Sequence, residues 1–79
     1  MPPRTAYTIL DLALAEKRVQ EGLNLIAEQH IRIGQARVRG EDTSALEKGL
    51  KTMVTALRIV VACRDEIDAA LLTTRDAQH

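Results

Sequence analysis

A chain of 79 residues has room for one small domain, and its single core is marginal because so short a chain buries too little of its surface. Eleven Lys and Arg balance eleven Asp and Glu, which leaves no net field to draw in nucleic acid or an anionic membrane, and the lone aromatic, Tyr7, gives base stacking no platform. Cys63 is the only cysteine, so no internal disulfide reinforces the fold; a single thiol suits a reducing cytoplasm, and association with another chain is the remaining source of stability.

After Arg4 the stretch AYTILDLALA ends in Ala13-Leu14-Ala15, the small-residue pattern of a signal-peptidase site. Asp11 interrupts the apolar run, and without that position the run is too short for a secretory signal. The longest later run free of charged or polar residues, IVVAC from Ile59 to Cys63, falls far short of the roughly 20 residues a membrane span needs.

From there Leu12, Glu16, Val19, Leu23, Ile26, His30 and Ile33 recur in alternating steps of four and three, a heptad seam that predicts a first helix over about 8–39. Pro2 and Pro3 precede it and no proline interrupts it. In RGEDTSALEKG, Gly40 can take the left-handed conformation that ends a helix, and Arg37 and Arg39 stand where the C-terminal dipole favours cations. Ser44-Ala45-Leu46-Glu47 fits an S-x-x-E capping box, with Thr43 or Asp42 as alternative caps. The stretch therefore reads as stop, a turn over 40–43, and start. A charged knob of Arg37, Arg39, Glu41 and Asp42 at this tip is a candidate surface for a protein partner, because conspicuous loops often carry function.

The second helix, expected over about 44–72, repeats the pattern with Leu46, Leu50, Met53, Leu57, Val60, Arg64, Ile67 and Leu71. Folded at the turn, Ile33 falls opposite Leu50, Ile26 opposite Leu57 and Leu12 opposite Leu71, every pair having the same sum of residue numbers, so the two seams share one register. The expectation is an all-α chain, one helical-hairpin domain over 1–79 with flexible ends at 1–4 and 74–79.

Two helices cannot cover all of this apolar surface. Tyr7, Leu14 and Leu25 flank the first seam on one side and Ile31 on the other, while Gly49, Ala56, Cys63 and Ala70 form a small-residue stripe at seven-residue intervals on the second helix. Tyr7, Leu14, Leu25, Ile31, Ala56 and Cys63 are accordingly the candidate oligomer contacts. Burying an exposed Leu or Ile is worth about 1.5–3 kcal/mol, so a homodimer forming a four-helix bundle is expected, with no nucleic-acid or membrane partner and a further protein partner left open.

The polar residues on the seams read as structural. Residue 27 is Ala, so His30 lacks the Glu-x-x-His companion of a bundle metal site, and no metal or cofactor is expected. Glu16 and Arg64 fall in adjacent layers and are expected to pair across the seam, setting register more than stability. Cys63 is expected to be a buried, inert thiol, since neither histidine is placed to act as its base.

Two resemblances bear on function. The segment RDEIDAALLTTR, Arg64 to Arg75, resembles the R-x-x-I-D-x-x-L-L helix of the all-helical chorismate mutases, which implies a small helical-bundle enzyme. In that family the segment opens the first helix and the cationic and acid–base residues follow, whereas here it lies near the end of the chain. HIRIGQARV (His30–Val38), GEDT (Gly40–Thr43) and RDEI (Arg64–Ile67) are similar to H-I-x-x-G-x-x-R, G-x-D-T and R-D-x-I in small uncharacterised bacterial helical-hairpin proteins, which implies a hairpin and no activity. The reading is therefore a non-enzymatic, self-associating interaction or scaffold module of the bacterial cytoplasm, with no catalytic residues. The alternative is a chorismate-mutase-like enzyme or a ligand-binding bundle.

Overall fold

The computed structural model describes residues 7–77 and contains two helices, α1 (Ile9–Val38) and α2 (Ser44–Ala77), packed antiparallel into a rod 60 Å long and 19 by 15 Å across. No strand occurs among the described residues, and none of their helices is long and apolar enough to cross a membrane. Of the expected flexible ends at 1–4 and 74–79, residues 1–4 and 78–79 lie outside the described residues, whereas 74–77 are helical: α2 runs on to Ala77, beyond the expected end at 72.

Helix α1 starts at a capping box absent from the sequence reading. Thr8 holds an extended backbone, its hydroxyl oxygen accepts from the Asp11 N–H at 3.1 Å, and the Asp11 carboxylate accepts from the Thr8 N–H at 2.8 Å. Asp11, which interrupts the apolar run, thus takes part in satisfying two backbone donors at a helix start. At the other end Gly40 has φ +72°, its N–H donates to the Arg37 carbonyl at 3.0 Å, and the Glu41 N–H donates to Ala36 at 2.9 Å. That pair of reversed bonds is the Schellman arrangement, which closes orphan carbonyls and needs a residue tolerant of positive φ.

The start of α2 differs from the expected serine box. The Thr43 carbonyl takes the first helical bond from Glu47 at 2.8 Å, while the Asp42 carboxylate accepts from both the N–H and the hydroxyl of Ser44, at 2.9 and 2.7 Å. Glu47 does not reach back to the cap; it pairs with Arg37 across the turn at 2.6 Å. A carboxylate two residues upstream outcompetes the serine because a charged acceptor makes the stronger bond to an orphan N–H.

The seam of α1 also needs correction. Ala15, Val19, Gln29, Ile33 and Ala36 are buried and Leu12, Gly22 and Ile26 half-buried, so the inward row steps by three and then four from Leu12. Leu12, Val19, Ile26 and Ile33 stand as expected, but Leu23 is 47% exposed, and Glu16 and His30 are exposed as well. Their places are taken by Ala15, Gly22 and Gln29. Small residues win because they let the helices come close: a Cβ on Gly22 would sit 2.9 Å from Leu57 Cδ1. On α2 the expected row of Leu46, Leu50, Met53, Leu57, Val60, Ile67 and Leu71 is half-buried throughout.

Candidate functional site

The hairpin leaves two long faces, and one contact on each relates the helices. A step of one residue turns a helix by about 100°. On α1, Glu16, Leu23, His30 and Arg37 each follow a seam residue by one; on α2, Glu47, Val54, Val61 and Asp68 do the same. The Arg37–Glu47 ion pair at 2.6 Å fixes these two rows on the same side of the rod. Read antiparallel from that pair at seven-residue intervals, His30 comes level with Val54, Leu23 with Val61, and Glu16 with Asp68. Apart from exposed His30 this face is apolar in its middle, where Val54 and Val61 are half-buried and Leu23 is open, and it is charged at both ends.

The opposite face carries the residues that precede the seams. Leu14 is 48% and Leu25 53% exposed, and across from them on α2 are Ala56 and Cys63, both exposed. Gln29, in the inward row of α1, reaches the Gly49 end of this α2 row: a Cβ on Gly49 would meet Gln29 Nε2 at 3.2 Å. Gln29, 5% exposed, donates from Nε2 to the Leu46 carbonyl at 2.8 Å. Sequence reasoning passed over this bond, although Ala15, Gly22, Gln29 and Ala36 lie seven apart and signal an inward row as clearly as the bulky residues do.

The other singled-out residues scatter. Cys63 is exposed in the single chain, correcting the expected buried thiol, because its position precedes Arg64 on the flank of α2 and no side chain of α1 covers it. Arg64 pairs with Asp65 at 2.9 Å and not with exposed Glu16; a neighbouring carboxylate on the same helix costs less side-chain ordering than one across the seam. Tyr7 is half-buried, and Ile31, 60% exposed, stands on the outer side of α1 away from both rows. At the tip the charges satisfy one another: Arg37 with Glu47, Arg39 with Glu41 at 3.2 Å, and Asp42 with Ser44. The two Ser44 donors hold the Asp42 carboxyl below its ordinary value of 3.8, against a weaker desolvation effect.

No group of three or more His, Cys, Asp or Glu is placed to hold a metal ion among the described residues. Of the surface depressions, one is lined by Ile31, Gly34 and Val38 of α1, and another by Lys51, Thr55 and Ile59 of α2; each is open and draws on one helix. No protein-family model, curated protein or solved structure matches this chain.

Proposed function

We propose that this chain is a non-enzymatic interaction or scaffold module of the cytoplasm that works as a homodimer, two hairpins packing into a four-helix bundle. The observation that carries this reading is the apolar middle of the Leu23–Val61 face, which the hairpin itself does not cover. Area supports it. The chain exposes 6348 Å², whereas a compact monomer of its 8.7 kDa exposes about 4,700 Å². That excess, roughly 1,600 Å² on each chain, is more than the about 800 Å² that each partner contributes to a standard interface.

The polar groups that the fold brings together support a structural role over a catalytic one. Gln29 is spent on Leu46, Arg37 on Glu47 and Arg64 on Asp65. The tip of Arg37, Arg39, Glu41 and Asp42 is the weaker candidate for a protein partner, since its charges are already matched inside the chain. Balanced charge keeps nucleic acid and anionic membranes out of the reading.

Sedimentation equilibrium at micromolar concentration tests it. A dimer is expected, and a stable, well-folded monomer would overturn the proposal.

A further inference from the structure

We infer that the second copy docks on the Leu23–Val61 face and lies antiparallel to the first, with the two turns at opposite ends of the bundle. This rests on the self-association proposed above and adds which face is used and in which direction.

The face is the first part. Leu23, His30, Val54 and Val61 form a square at the middle of the rod, at seven-residue spacing on both helices; no Asp, Glu, Lys or Arg falls in these two rows beside the seam at that level, and Arg58 lies one row further out. The opposite face exposes Leu14 and Leu25 on α1 and Ile59 on α2, but Arg18 and Arg32 stand seven residues either side of Leu25, in the row beside the α1 seam. Burying that second face would strand charges that have no acceptor or donor in a bundle interior. On the first face the charges lie only beyond the apolar square, where a rim stays in water.

Charge then fixes the direction. One end of the face holds Glu16 and Asp68; the other holds the Arg37–Glu47 pair. A two-fold axis along the bundle would stack Glu16 and Asp68 on the same two residues of the second copy, gathering four carboxylates in one rim. An axis across the bundle sets Arg37 over Glu16 of the second copy instead, and gives each end one guanidinium among three carboxylates. Pairwise, repulsion dominates the first arrangement and cancels against attraction in the second. The same operation is self-consistent in the apolar square, since it lays Leu23 over His30 and Val54 over Val61 at both halves of the interface.

Two measurements on the full chain test this. Leu23→Glu should weaken dimerisation at least 100-fold in sedimentation, while Leu25→Glu, an equally exposed leucine on the other face, should leave it within a few-fold of the parent. For direction, a spin label on Glu41→Cys in a Cys63→Ser background reports the distance between the two turns. Antiparallel docking about the middle of the face predicts about 45 Å, from roughly 1.5 Å per residue along each helix; an axis along the bundle predicts less than about 25 Å. This distance does not depend on any interface variant folding. A parent that sediments as a monomer overturns the self-association and this inference together. A dimer that Leu25→Glu dissociates and Leu23→Glu spares overturns the face alone, and a short turn-to-turn distance overturns the direction alone.

Discussion

The side-chain amide of Gln29 donates to the backbone carbonyl of Leu46 at 2.8 Å, tying α1 to the first turn of α2. A buried amide bonded to a carbonyl on the other helix sets how far the helices slide past each other, which a row of leucines specifies poorly. Gln29→Met keeps the volume and removes the donor, and should cost about 0.5–1.5 kcal/mol in chemical denaturation. Gly49 leaves room for the same amide, with a Cβ there meeting Nε2 at 3.2 Å. Gly49→Ala should therefore gain little or lose stability in the parent, yet gain about 1 kcal/mol from helix propensity once Gln29 is Ala. Equal effects of Gly49→Ala in both backgrounds would show that the glycine serves something other than the amide.

Gly22 and Leu57 make the parallel case in an apolar layer. With Leu57 Cδ1 at 2.9 Å from a Cβ built on Gly22, Gly22→Ala forces the leucine off its position. Because the atom displaced is the terminal methyl of a half-buried leucine, the cost is moderate and roughly offsets the propensity gain, so the substitution is expected to change stability by less than about 1 kcal/mol. Leu57→Ala alone should cost about 2–5 kcal/mol as a truncation of the interhelical layer. Combining them should recover part of the loss, so the double-mutant cycle should show a coupling of at least about 1 kcal/mol. Strict additivity would mean that the helices do not meet at this layer.

These two layers also show how far the sequence could be read. Helix count, the turn and the positions of Leu12, Val19, Ile26 and Ile33 follow from heptad spacing, because those residues belong to the inward row under either order of steps. The choice between 16-23-30 and 15-22-29 does not follow. Side-chain bulk favours Leu23, whereas close approach favours Gly22, and a rule that scores apolar size selects the wrong one. The flank faces inherit that error: with Leu23 assigned inward, the face it shares with Val54 and Val61 goes unseen. Asp11 goes unseen as a cap for a different reason, and Asp42 stands in the sequence only as an alternative to Ser44, since a capping carboxylate is recognisable only once the helix boundary is fixed to the residue.

Two glycines separate backbone demand from space. Gly40 has φ +72°, while Gly34 sits inside α1 with nothing within 4 Å of where a Cβ would be. Gly34→Ala should stabilise the chain by about 0.5–1 kcal/mol through helix propensity. Gly40→Ala should destabilise by about 1 kcal/mol because an L side chain crowds the left-handed conformation. Thermal melts of the two variants should move in opposite directions; a shift of the same sign in both would contradict the Schellman closure of α1.

Asp42 ties the start of α2 to pH. Its carboxyl is lowered from 3.8 in the folded chain by the hydroxyl and N–H of Ser44. A depressed carboxyl contributes stability that is fully present above the unfolded value and is lost as pH falls through the lower folded value. Asp42→Ala should therefore lower the melting temperature by a constant amount from neutral pH down to about 4, and the gap to the parent should close below 3.8. A gap that stays open at pH 2 would assign the effect to loop conformation and not to the ionised cap.

The Arg37–Glu47 bridge at 2.6 Å leaves its side chains 64% and 47% exposed, so its worth is modest in spite of the short distance. A double-mutant cycle with Arg37→Ala and Glu47→Ala should give a coupling of about 0.2–1 kcal/mol at low salt, falling toward zero near 1 M, where the screening length is about 3 Å. The charge-swapped chain, Arg37→Glu with Glu47→Arg, restores the contact but sets an acid on the last turn of α1 and a base on the first turn of α2. Both then oppose the helix dipoles, each by about 0.3–1 kcal/mol. The swap should consequently recover the pairwise coupling without recovering parent stability. By the same count each end of the antiparallel dimer still holds one guanidinium among three carboxylates, so the swap should leave dimerisation within a few-fold of the parent, whereas Arg37→Glu alone, which leaves four carboxylates at each end, should weaken it. If Arg37→Glu alone leaves dimerisation unchanged while the turns remain far apart, the rim charges do not set the direction of docking, and the Leu23–Val61 square alone must do so.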